Sequence, residues 1–112
     1  MFIYLICRMS ETKHTYIGST ENFNRRLQEH NATTAWVPLM VVQTDSVVQA
    51  KDIEQEWQKI EHCVEKRIKF GFQIVRKYSL TVYVSDIKIG LLSMMPEGEF
   101  KKMDKEFWKM TE

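Results

Sequence analysis

Two short runs decide the fold: Phe2-Ile-Tyr-Leu-Ile-Cys-Arg8 and, after a polar connection, Thr12-Lys-His-Thr-Tyr-Ile-Gly18. Both are rich in β-branched and aromatic residues, which favour strands, and the polar residues between them suit a hairpin. On adjacent antiparallel strands, Tyr4 and Tyr16 can share one face of the sheet and lie nearly opposite each other. The two phenols are therefore candidates for one pocket, although each could equally be a core aromatic with its hydroxyl at the edge.

A helix is predicted after the second run. Gly18 is expected to turn the chain with a positive φ, and Asn22 can cap a helix that runs to about His30. Asn31 then offers a left-handed stop. The apolar and β-branched segment Trp36–Gln43 predicts a third strand.

The longest helical segment is predicted to begin after Ser46, which has the spacing of a capping box with Gln49. This helix is expected to span residues 47–61, with Lys69 as an alternative end. Apolar residues recur in it at spacings of three and four, which predicts a buried stripe. The stripe consists of Ala50, Ile53, Trp57 and Ile60.

The pattern is weaker in the last third of the chain. Residues 72–84 mix Tyr, Val and Thr in a strand-like way, and residues 85–95 suit a helix capped by Ser85. A final amphipathic helix is predicted over residues 97–110. The fold class is therefore α/β (α+β), with a small three-stranded antiparallel or mixed sheet flanked by helices in the order β-β-α-β-α-α.

Length and composition indicate one domain. The chain has 112 residues, of which 44% are hydrophobic and 28% are charged, as in a globular protein with a solvated surface. We expect a single domain over residues 1–112, with a core of residues 1–70 and a mainly helical extension of residues 71–112. The two cysteines, Cys7 and Cys63, do not suggest a disulfide framework.

The charge and hydropathy patterns limit the partners. No apolar run approaches the roughly 18 residues that suggest a membrane span, so we expect no membrane partner and an intracellular location. The net charge of +1 does not by itself indicate a polyanion-binding protein. Local basic surfaces could still form from two groups of residues. The candidates are Arg25-Arg26 and the series Lys66, Arg67, Lys69, Arg76 and Lys77. The second group could instead be a helix face that only contacts solvent.

The first predicted helix carries three polar residues on one face. Asn22, Arg26 and His30 are spaced at i, i+4 and i+8, so they project together. A guanidinium suits a phosphate because it binds two oxygens at once and stays charged at every relevant pH. The alternative is a polar stripe that only faces solvent.

Glu54 is the acidic residue that the pattern singles out. It follows Ile53 of the buried stripe, so it should lie at the boundary of the core, where a carboxylate is costly without a positive partner. Glu54 is therefore a candidate metal ligand. Glu56, two residues on, should face solvent on the opposite side of the helix.

Together these residues resemble the GIY-YIG nuclease family. The resemblance rests on the order and spacing of Phe2-Ile-Tyr4, Tyr16-Ile-Gly-Ser19, Asn22, Arg25-Arg26, His30 and Ala50-x-x-Ile53-Glu54, and it covers about the first 60 residues. The segments Trp36-Val-Pro-Leu-Met-Val-Val and 50–57 are also similar to the subgroup that cuts branched DNA.

The sequence departs from the family pattern in three respects. Phe2 stands where the name-giving glycine would be, and Lys66 and Lys69 stand in the region where several members have an asparagine. The zinc-binding domain that accompanies the branched-DNA subgroup is not expected from a chain with two cysteines.

The resemblance implies a DNA endonuclease that uses one divalent ion, Mg²⁺ or Mn²⁺, with double-stranded and branched DNA as candidate substrates. Glu54 would hold the ion, Tyr16 would act as general base, Tyr4 would assist it, and Arg26 would clamp the scissile phosphate. His30 would orient Tyr16 or donate a proton, and the spacing does not separate these roles. Contacts to DNA are expected from Asn22, Arg25, Lys66, Lys69, Arg76 and Lys77.

Two other functions are compatible with the sequence. One is a nuclease-derived module that binds DNA without cutting it. The other is a small protein-interaction domain in which Trp36, Trp57 and Trp108 are core residues or interface anchors. Metal-dependent nicking of plasmid DNA distinguishes the first alternative, and absence of salt-dependent DNA binding would favour the second.

Overall fold

A computed structural model describes residues 1–11, 14–85 and 100–112 of the chain. Within these residues the chain forms five strands and four helices. The elements, in chain order, are β1 (Phe2–Arg8), β2 (Thr15–Thr20), α1 (Phe23–Asn31), β3 (Trp36–Gln43), α2 (Val47–Gln58), α3 (Val64–Tyr78), β4 (Thr81–Val84), β5 (Lys101–Lys102) and α4 (Lys105–Met110).

The strands form one mixed sheet in the order β2-β1-β3-β4-β5. The pairs β1–β2, β1–β3 and β3–β4 are antiparallel, and β5 runs parallel to β4. The prediction of three strands is therefore wrong, although β1, β2 and β3 lie where the sequence placed strands. The predicted order β-β-α-β-α-α describes the chain as far as α3, after which β4, β5 and α4 follow.

The sheet separates two hydrophobic clusters. On one face, side chains of β1 such as Ile3 and Leu5 pack with residues of α2 and α3, including Ile53 and Trp57. On the other face, alternate β1 residues pack against Phe23 of α1 and against α4. Because side chains of a strand alternate between faces, each β1 residue belongs to one of these layers. We call the layers the α2/α3 face and the α1/α4 face.

The long helix predicted from residue 47 is interrupted. Instead, α2 ends at Gln58 and α3 begins at Val64. The side chain of Arg67 donates hydrogen bonds to the carbonyl oxygens of Gln58 and Ile60, at 3.0–3.4 Å, and so satisfies carbonyl groups where α2 ends. A buried side chain from the next helix thus stabilises the break, which the helical periodicity did not indicate.

The C-terminal third differs most from expectation. Residues 72–78 are helical rather than strand-like, because Ile68, Phe72 and Val75 face the core at helical spacing, and only Thr81–Val84 form a strand. The predicted helix over residues 85–95 lies almost wholly outside the described residues. Within residues 100–112, the final helix starts only at Lys105, with Asp104 as its N-cap.

Two predicted turns also take another form. Gly18 lies inside β2 and does not adopt a positive φ, and Asn31 remains helical, with Ala32 as a right-handed C-cap. The Asn31 side chain instead accepts a hydrogen bond from the backbone N–H of Trp36 at 2.6 Å. The predicted caps Asn22 and Ser46 are confirmed, since each side chain accepts a hydrogen bond from the backbone three residues on.

No helix in the described part of the chain is long and apolar enough to cross a membrane.

Candidate active site

Two tyrosines share the α1/α4 face of the sheet. Tyr4 of β1 pairs with Gly18 of β2, so Tyr16 lies diagonally across from Tyr4 rather than directly opposite. Their rings are stacked with centroids 6.1 Å apart. The predicted common face is confirmed, and the environments differ: Tyr4 is 1% exposed whereas Tyr16 is 39% exposed. One phenol is therefore a fixed interior group, and the other is open to solvent.

Gly18 makes room for the buried tyrosine. A Cβ atom at this residue would lie 2.5 Å from the Tyr4 hydroxyl oxygen and 3.0 Å from a ring carbon of Tyr16. The first distance is shorter than real Cβ contacts and the second is tighter than most of them, so the glycine allows the two phenols to approach the β2 backbone closely. Space, and not the positive φ predicted from the sequence, explains why this strand contains glycine.

Helix α1 brings an imidazole and a guanidinium to the tyrosines. The Tyr4 hydroxyl lies 3.0 Å from His30 Nε2, within hydrogen-bond distance, and the Tyr16 and His30 rings are 4.8 Å apart. Arg26 lies one turn earlier, where its side chain donates to Glu29 and is close enough to both tyrosines for each of them to raise the Arg26 pKa. The sequence-predicted residues of β1, β2 and α1 thus meet in one place, which we call the tyrosine pocket (Tyr4, Tyr16, Arg26 and His30).

The electrostatics of the tyrosine pocket distinguish its members. Burial raises the pKa of Tyr4, so this phenol holds its proton more firmly than a free one, although the hydrogen bond from Arg26 acts in the opposite direction. Burial also lowers the pKa of His30, as does the nearby Arg26 charge, and the imidazole is therefore neutral at pH 7. A neutral imidazole can accept a proton from a phenol or from water.

Arg26 remains a cation throughout. The hydrogen bond to Glu29 is the main cause that raises the pKa of Arg26, and the interactions with the two tyrosines raise it further. Its Nη1 atom donates to Glu29 Oε2 at 2.8 Å, on a surface where both side chains are about half exposed. Such a pair contributes little stability, because solvent screens it. The guanidinium can exchange this carboxylate for a phosphate oxygen at small cost.

Glu54 stands beside the edge strand β2. Its side chain is 16% exposed, whereas Glu56 lies in solvent, as the sequence predicts. Glu54 Oε2 accepts a 2.7 Å hydrogen bond from the Ser19 hydroxyl and lies 3.5 Å from the Lys51 ammonium. Gln58 donates to Glu54 Oε1 at 3.4 Å and to the Ile17 carbonyl at 3.0 Å, which ties α2 to β2. The carboxylate is thus held in one orientation.

The donors around Glu54 fit one hard divalent cation. A fixed carboxylate beside a hydroxyl offers oxygen ligands, which Mg²⁺ and Mn²⁺ prefer, and Mg²⁺ is commonly bound through one or two carboxylates with water completing its shell. No group of three or more acidic, histidine or cysteine side chains comes together among the described residues. Burial is the main cause that raises the pKa of Tyr4, and the Glu54 charge acts in the same direction.

Several residues predicted to contact DNA have other contacts. The Asn22 side-chain oxygen caps α1, and Arg25 lies 3.7 Å from Glu29. Four others extend from α3, which packs on the α2/α3 face and not beside the tyrosines. Lys66 pairs with Glu61 and Lys69 with Glu65, Lys77 lies over the Tyr78 ring, and Arg76 is exposed. Arg67, grouped with them in the sequence, is a buried structural residue.

The sequence did not single out Ser19, Lys51 and Gln58, which hold Glu54, or the role of Trp36. The Trp36 ring lies 6.2 Å from that of Tyr16 and 6.0 Å from that of His30, so it borders the tyrosine pocket. Lys51 could have been predicted from the sequence, because it stands three residues before Glu54 on the same helix, the spacing at which opposite charges meet. Of the three tryptophans, Trp57 is fully buried and cannot be an interface anchor.

The arrangement brings two phenols, an imidazole, a guanidinium and a fixed carboxylate together around one edge strand. The GIY-YIG catalytic domain matches residues 1–62, more than half of the chain and all of the residues that form the pocket, so the chain belongs to the GIY-YIG family. It is accordingly a nuclease-type endonuclease domain that acts on DNA. Members of this family generally depend on a divalent metal. A search of curated proteins finds no match to the chain.

Proposed function

We propose that this chain hydrolyses DNA phosphodiester bonds with one divalent ion held by Glu54. One observation carries the proposal: Tyr4, Tyr16, Arg26 and His30 meet in a single pocket, and Glu54 is fixed at the strand that forms one side of it. These groups bind phosphate, move a proton and supply a metal ligand, which together are what hydrolysis of a phosphodiester requires.

Arg26 binds the scissile phosphate in this mechanism. Its planar donors match two phosphate oxygens, and its charge offsets the negative charge that develops in the transition state. In the free protein the guanidinium rests on Glu29, at the exposed surface. Substrate phosphate displaces that carboxylate. Until then, the pair with Glu29 holds the Arg26 guanidinium close to the position in which it binds phosphate, at the protein surface.

Tyr16 is the proposed general base on the attacking water. It is the more exposed of the two phenols, and its ring lies against the neutral imidazole of His30. A general base must lie within reach of the attacking water, and the Arg26 cation that would hold the phosphate is close to both tyrosines. Tyr4, buried and bonded to His30, positions the imidazole rather than taking the proton.

Glu54 and the Ser19 hydroxyl are the proposed holders of Mg²⁺ or Mn²⁺. A bound divalent ion supplies charge stabilisation at the leaving oxygen. Ser19 orients the carboxylate, and the Lys51 ammonium, 3.0 Å from the Ser19 hydroxyl, neutralises it in the free protein. Lys51 is long and half exposed, so it can withdraw when a cation binds.

Branched DNA is the substrate that we propose within this class. The support is the similarity of residues 36–42 and 50–57 to the subgroup that cuts branched DNA. A panel of linear, nicked, flap and four-way junction DNA, each with Mg²⁺, tests this choice. Faster cleavage of the flap or junction than of the linear duplex is expected, and equal rates would contradict it.

The metal assignment is tested by Glu54→Gln, with Glu56→Gln as the matched control. We expect Glu54→Gln to lower the cleavage rate by at least about 100–1,000-fold, the cost typical of losing one charge-stabilising group. DNA binding, measured by fluorescence anisotropy, should persist, because most affinity comes from contacts to the backbone. Glu56→Gln should keep full activity, since that side chain lies in solvent.

Three results would change the proposal. Full activity of Glu54→Gln would remove Glu54 from the metal site. DNA binding by the wild-type protein without cleavage under any divalent ion would instead indicate a nuclease-derived binding module. Absence of salt-dependent DNA binding would favour a protein-interaction domain.

A further inference from the structure

A second cavity adjoins the tyrosine pocket. It has a volume of about 570 Å³ and is lined by Arg8, Glu11, His14, Thr15, Trp36 and His62. We call it the Arg8 cavity. It opens where β1 ends and β3 begins, because Arg8 pairs with Trp36 across these two strands.

Arg8 is the distinctive residue of this cavity. Its Nε atom is buried and has no hydrogen-bond partner, and it is the one such side-chain atom among the described residues. The guanidinium lies 5.5 Å from the centroid of the Trp36 ring, which holds it by a cation–π contact. A buried N–H donor without an acceptor is unfavourable, and because Arg8 lines the cavity, an anion bound there offers its guanidinium oxygen acceptors.

His62 offers a second donor. Arg67 donates to the Thr15 hydroxyl oxygen at 2.8 Å, so the Thr15 proton is available for His62 Nδ1, 3.5 Å away. Nδ1 is then the acceptor, and the ring proton resides on Nε2 as an N–H donor. The opposing carboxylate, Glu11, lies on the surface 3.7 Å from the His14 ring. The cavity therefore combines one permanent cation and two N–H donors, a set that suits an anionic oxygen.

Trp36 borders both the Arg8 cavity and the tyrosine pocket. Its ring lies 5.5 Å from the Arg8 guanidinium, 6.2 Å from the Tyr16 ring and 6.0 Å from the His30 ring. In a duplex, each strand presents a phosphate about every 3.4 Å along the helix axis. A strand whose scissile phosphate lies at Arg26 can therefore continue past Trp36 and place another of its phosphates at Arg8.

We propose that the Arg8 cavity is a second phosphate subsite, which binds another phosphate of the DNA strand that is cleaved. This proposal rests on the proposed function, because the subsite is defined by its place beside the tyrosine pocket. Arg8 is the principal donor, Trp36 holds the Arg8 guanidinium in place through the cation–π contact, and His62 adds a second N–H donor. The subsite would set which bond of the strand lies over Tyr16.

The first test measures binding of a fluorescent duplex at rising salt, in the Glu54→Gln background so that the DNA stays intact. Arg8→Gln should weaken binding about tenfold at low salt and reduce the slope of log affinity against log salt by about 0.9, as expected for one lost phosphate contact. Lys105→Gln, which removes an exposed charge of α4, should leave the slope unchanged. An unchanged slope in Arg8→Gln would overturn the subsite.

A second test changes the DNA. Once the cleavage position is mapped, each flanking phosphate is replaced in turn by an uncharged methylphosphonate, and binding to Glu54→Gln is measured. One neighbouring replacement should reproduce the loss seen for Arg8→Gln, and combining the two should add no further loss. If an abasic nucleotide there weakens binding and the methylphosphonate does not, the cavity binds a base and the proposal is wrong.

The two proposals fail in different ways. If the wild-type protein cleaves DNA and Arg8→Gln binds with the same affinity and salt slope, the subsite is wrong and the proposed function stands. If the wild-type protein neither binds nor cleaves any DNA, the proposed function fails, and the subsite fails with it.

Discussion

At the residue scale, two chemically identical side chains lie in different surroundings, and the roles proposed for them follow from this difference. Tyr4 is enclosed and lies within hydrogen-bond distance of His30, and burial raises its pKa, so this phenol holds its proton more firmly than a free one. Tyr16, one diagonal step away on the neighbouring strand, is open to water. The sequence shows two tyrosines in similar strand contexts, so only their surroundings separate the roles.

Substituting each tyrosine by phenylalanine tests this division. Phenylalanine keeps the ring and removes the hydroxyl, so packing is largely preserved. We expect Tyr16→Phe to lower the single-turnover cleavage rate by about 100–1,000-fold and Tyr4→Phe to lower it less, since general bases contribute about 100–10,000-fold. Greater damage from Tyr4→Phe would assign the base role elsewhere, and His30 would then be the better candidate.

Gly18 provides a second test at this scale. The added methyl group in Gly18→Ala would lie 2.5 Å from the Tyr4 hydroxyl oxygen, so the phenol must move away from His30. We expect a loss of about 1–3 kcal/mol in the free energy of unfolding, as for other overpacked sites, together with a drop in cleavage rate. Denaturant unfolding and single-turnover kinetics measure the two effects.

Gly71→Ala is the matched control for Gly18→Ala. Its added methyl group would meet Met40 and Trp57 in the core of the α2/α3 face, away from the phenols. It should destabilise the fold by a similar amount but retain the wild-type rate at a temperature where the protein stays folded. If both variants lose the same rate, the effect of Gly18→Ala comes from stability and not from the pocket.

At the scale of elements, the junction of α2 and α3 depends on one buried cation. The Arg67 side chain donates to Ile60, Gln58 and Thr15, and burial lowers its pKa. The Trp57 indole N–H in turn donates to the Arg67 carbonyl at 2.8 Å. Because α2 carries Glu54, this junction helps to fix the helix that presents the proposed metal ligand.

Arg67→Met tests the junction. The aliphatic chain is replaced but the carbonyl groups of Gln58 and Ile60 lose their donors, and each unsatisfied buried polar group costs about 1–3 kcal/mol. We expect the free energy of unfolding to fall by about 2–4 kcal/mol, measured by urea denaturation. Lys69→Met, an exposed change on the same helix, should stay within about 0.5 kcal/mol of the wild type. If both variants lower the free energy of unfolding equally, Arg67 does not stabilise the junction of α2 and α3.

At the scale of the whole molecule, the sheet separates the tyrosine pocket from the basic residues of α3. The tyrosine pocket opens on the α1/α4 face, and the basic residues of α3 belong to the layer on the α2/α3 face. A linear duplex seated over the tyrosines lies on one side of the sheet. A branched substrate has a further arm that can reach the other side. The basic residues of α3 are the proposed contact for that arm.

Neutralising the basic residues of α3 tests whether they contact junction DNA and not a linear duplex. The variant carries glutamine at Lys66, Lys69, Arg76 and Lys77. We expect it to bind junction DNA more weakly, with the salt slope reduced by about one for each lost phosphate contact, and to bind a linear duplex as the wild type does. Equal affinities and slopes for both substrates in variant and wild type would show that these charges, paired in part with Glu61 and Glu65, only face solvent.

Much of the local structure could be predicted from the sequence alone. Strand propensity and alternation predicted the hairpin and the common face of Tyr4 and Tyr16, and the caps at Asn22 and Ser46 predicted where α1 and α2 begin. The helical period brought Arg26 and His30 onto one side of α1. These features involve residues a few places apart, or one pleat apart, so their geometry follows from backbone periodicity.

Tertiary structure decided what depends on residues distant in the chain. The orientation of Glu54 comes from Ser19, 35 residues away, and the end of α2 is stabilised by Arg67 reaching back across the junction. The need for glycine at residue 18 comes from the Tyr4 ring of the neighbouring strand. Neither periodicity nor capping encodes such contacts, because they exist only once two helical layers have packed on opposite faces of the sheet.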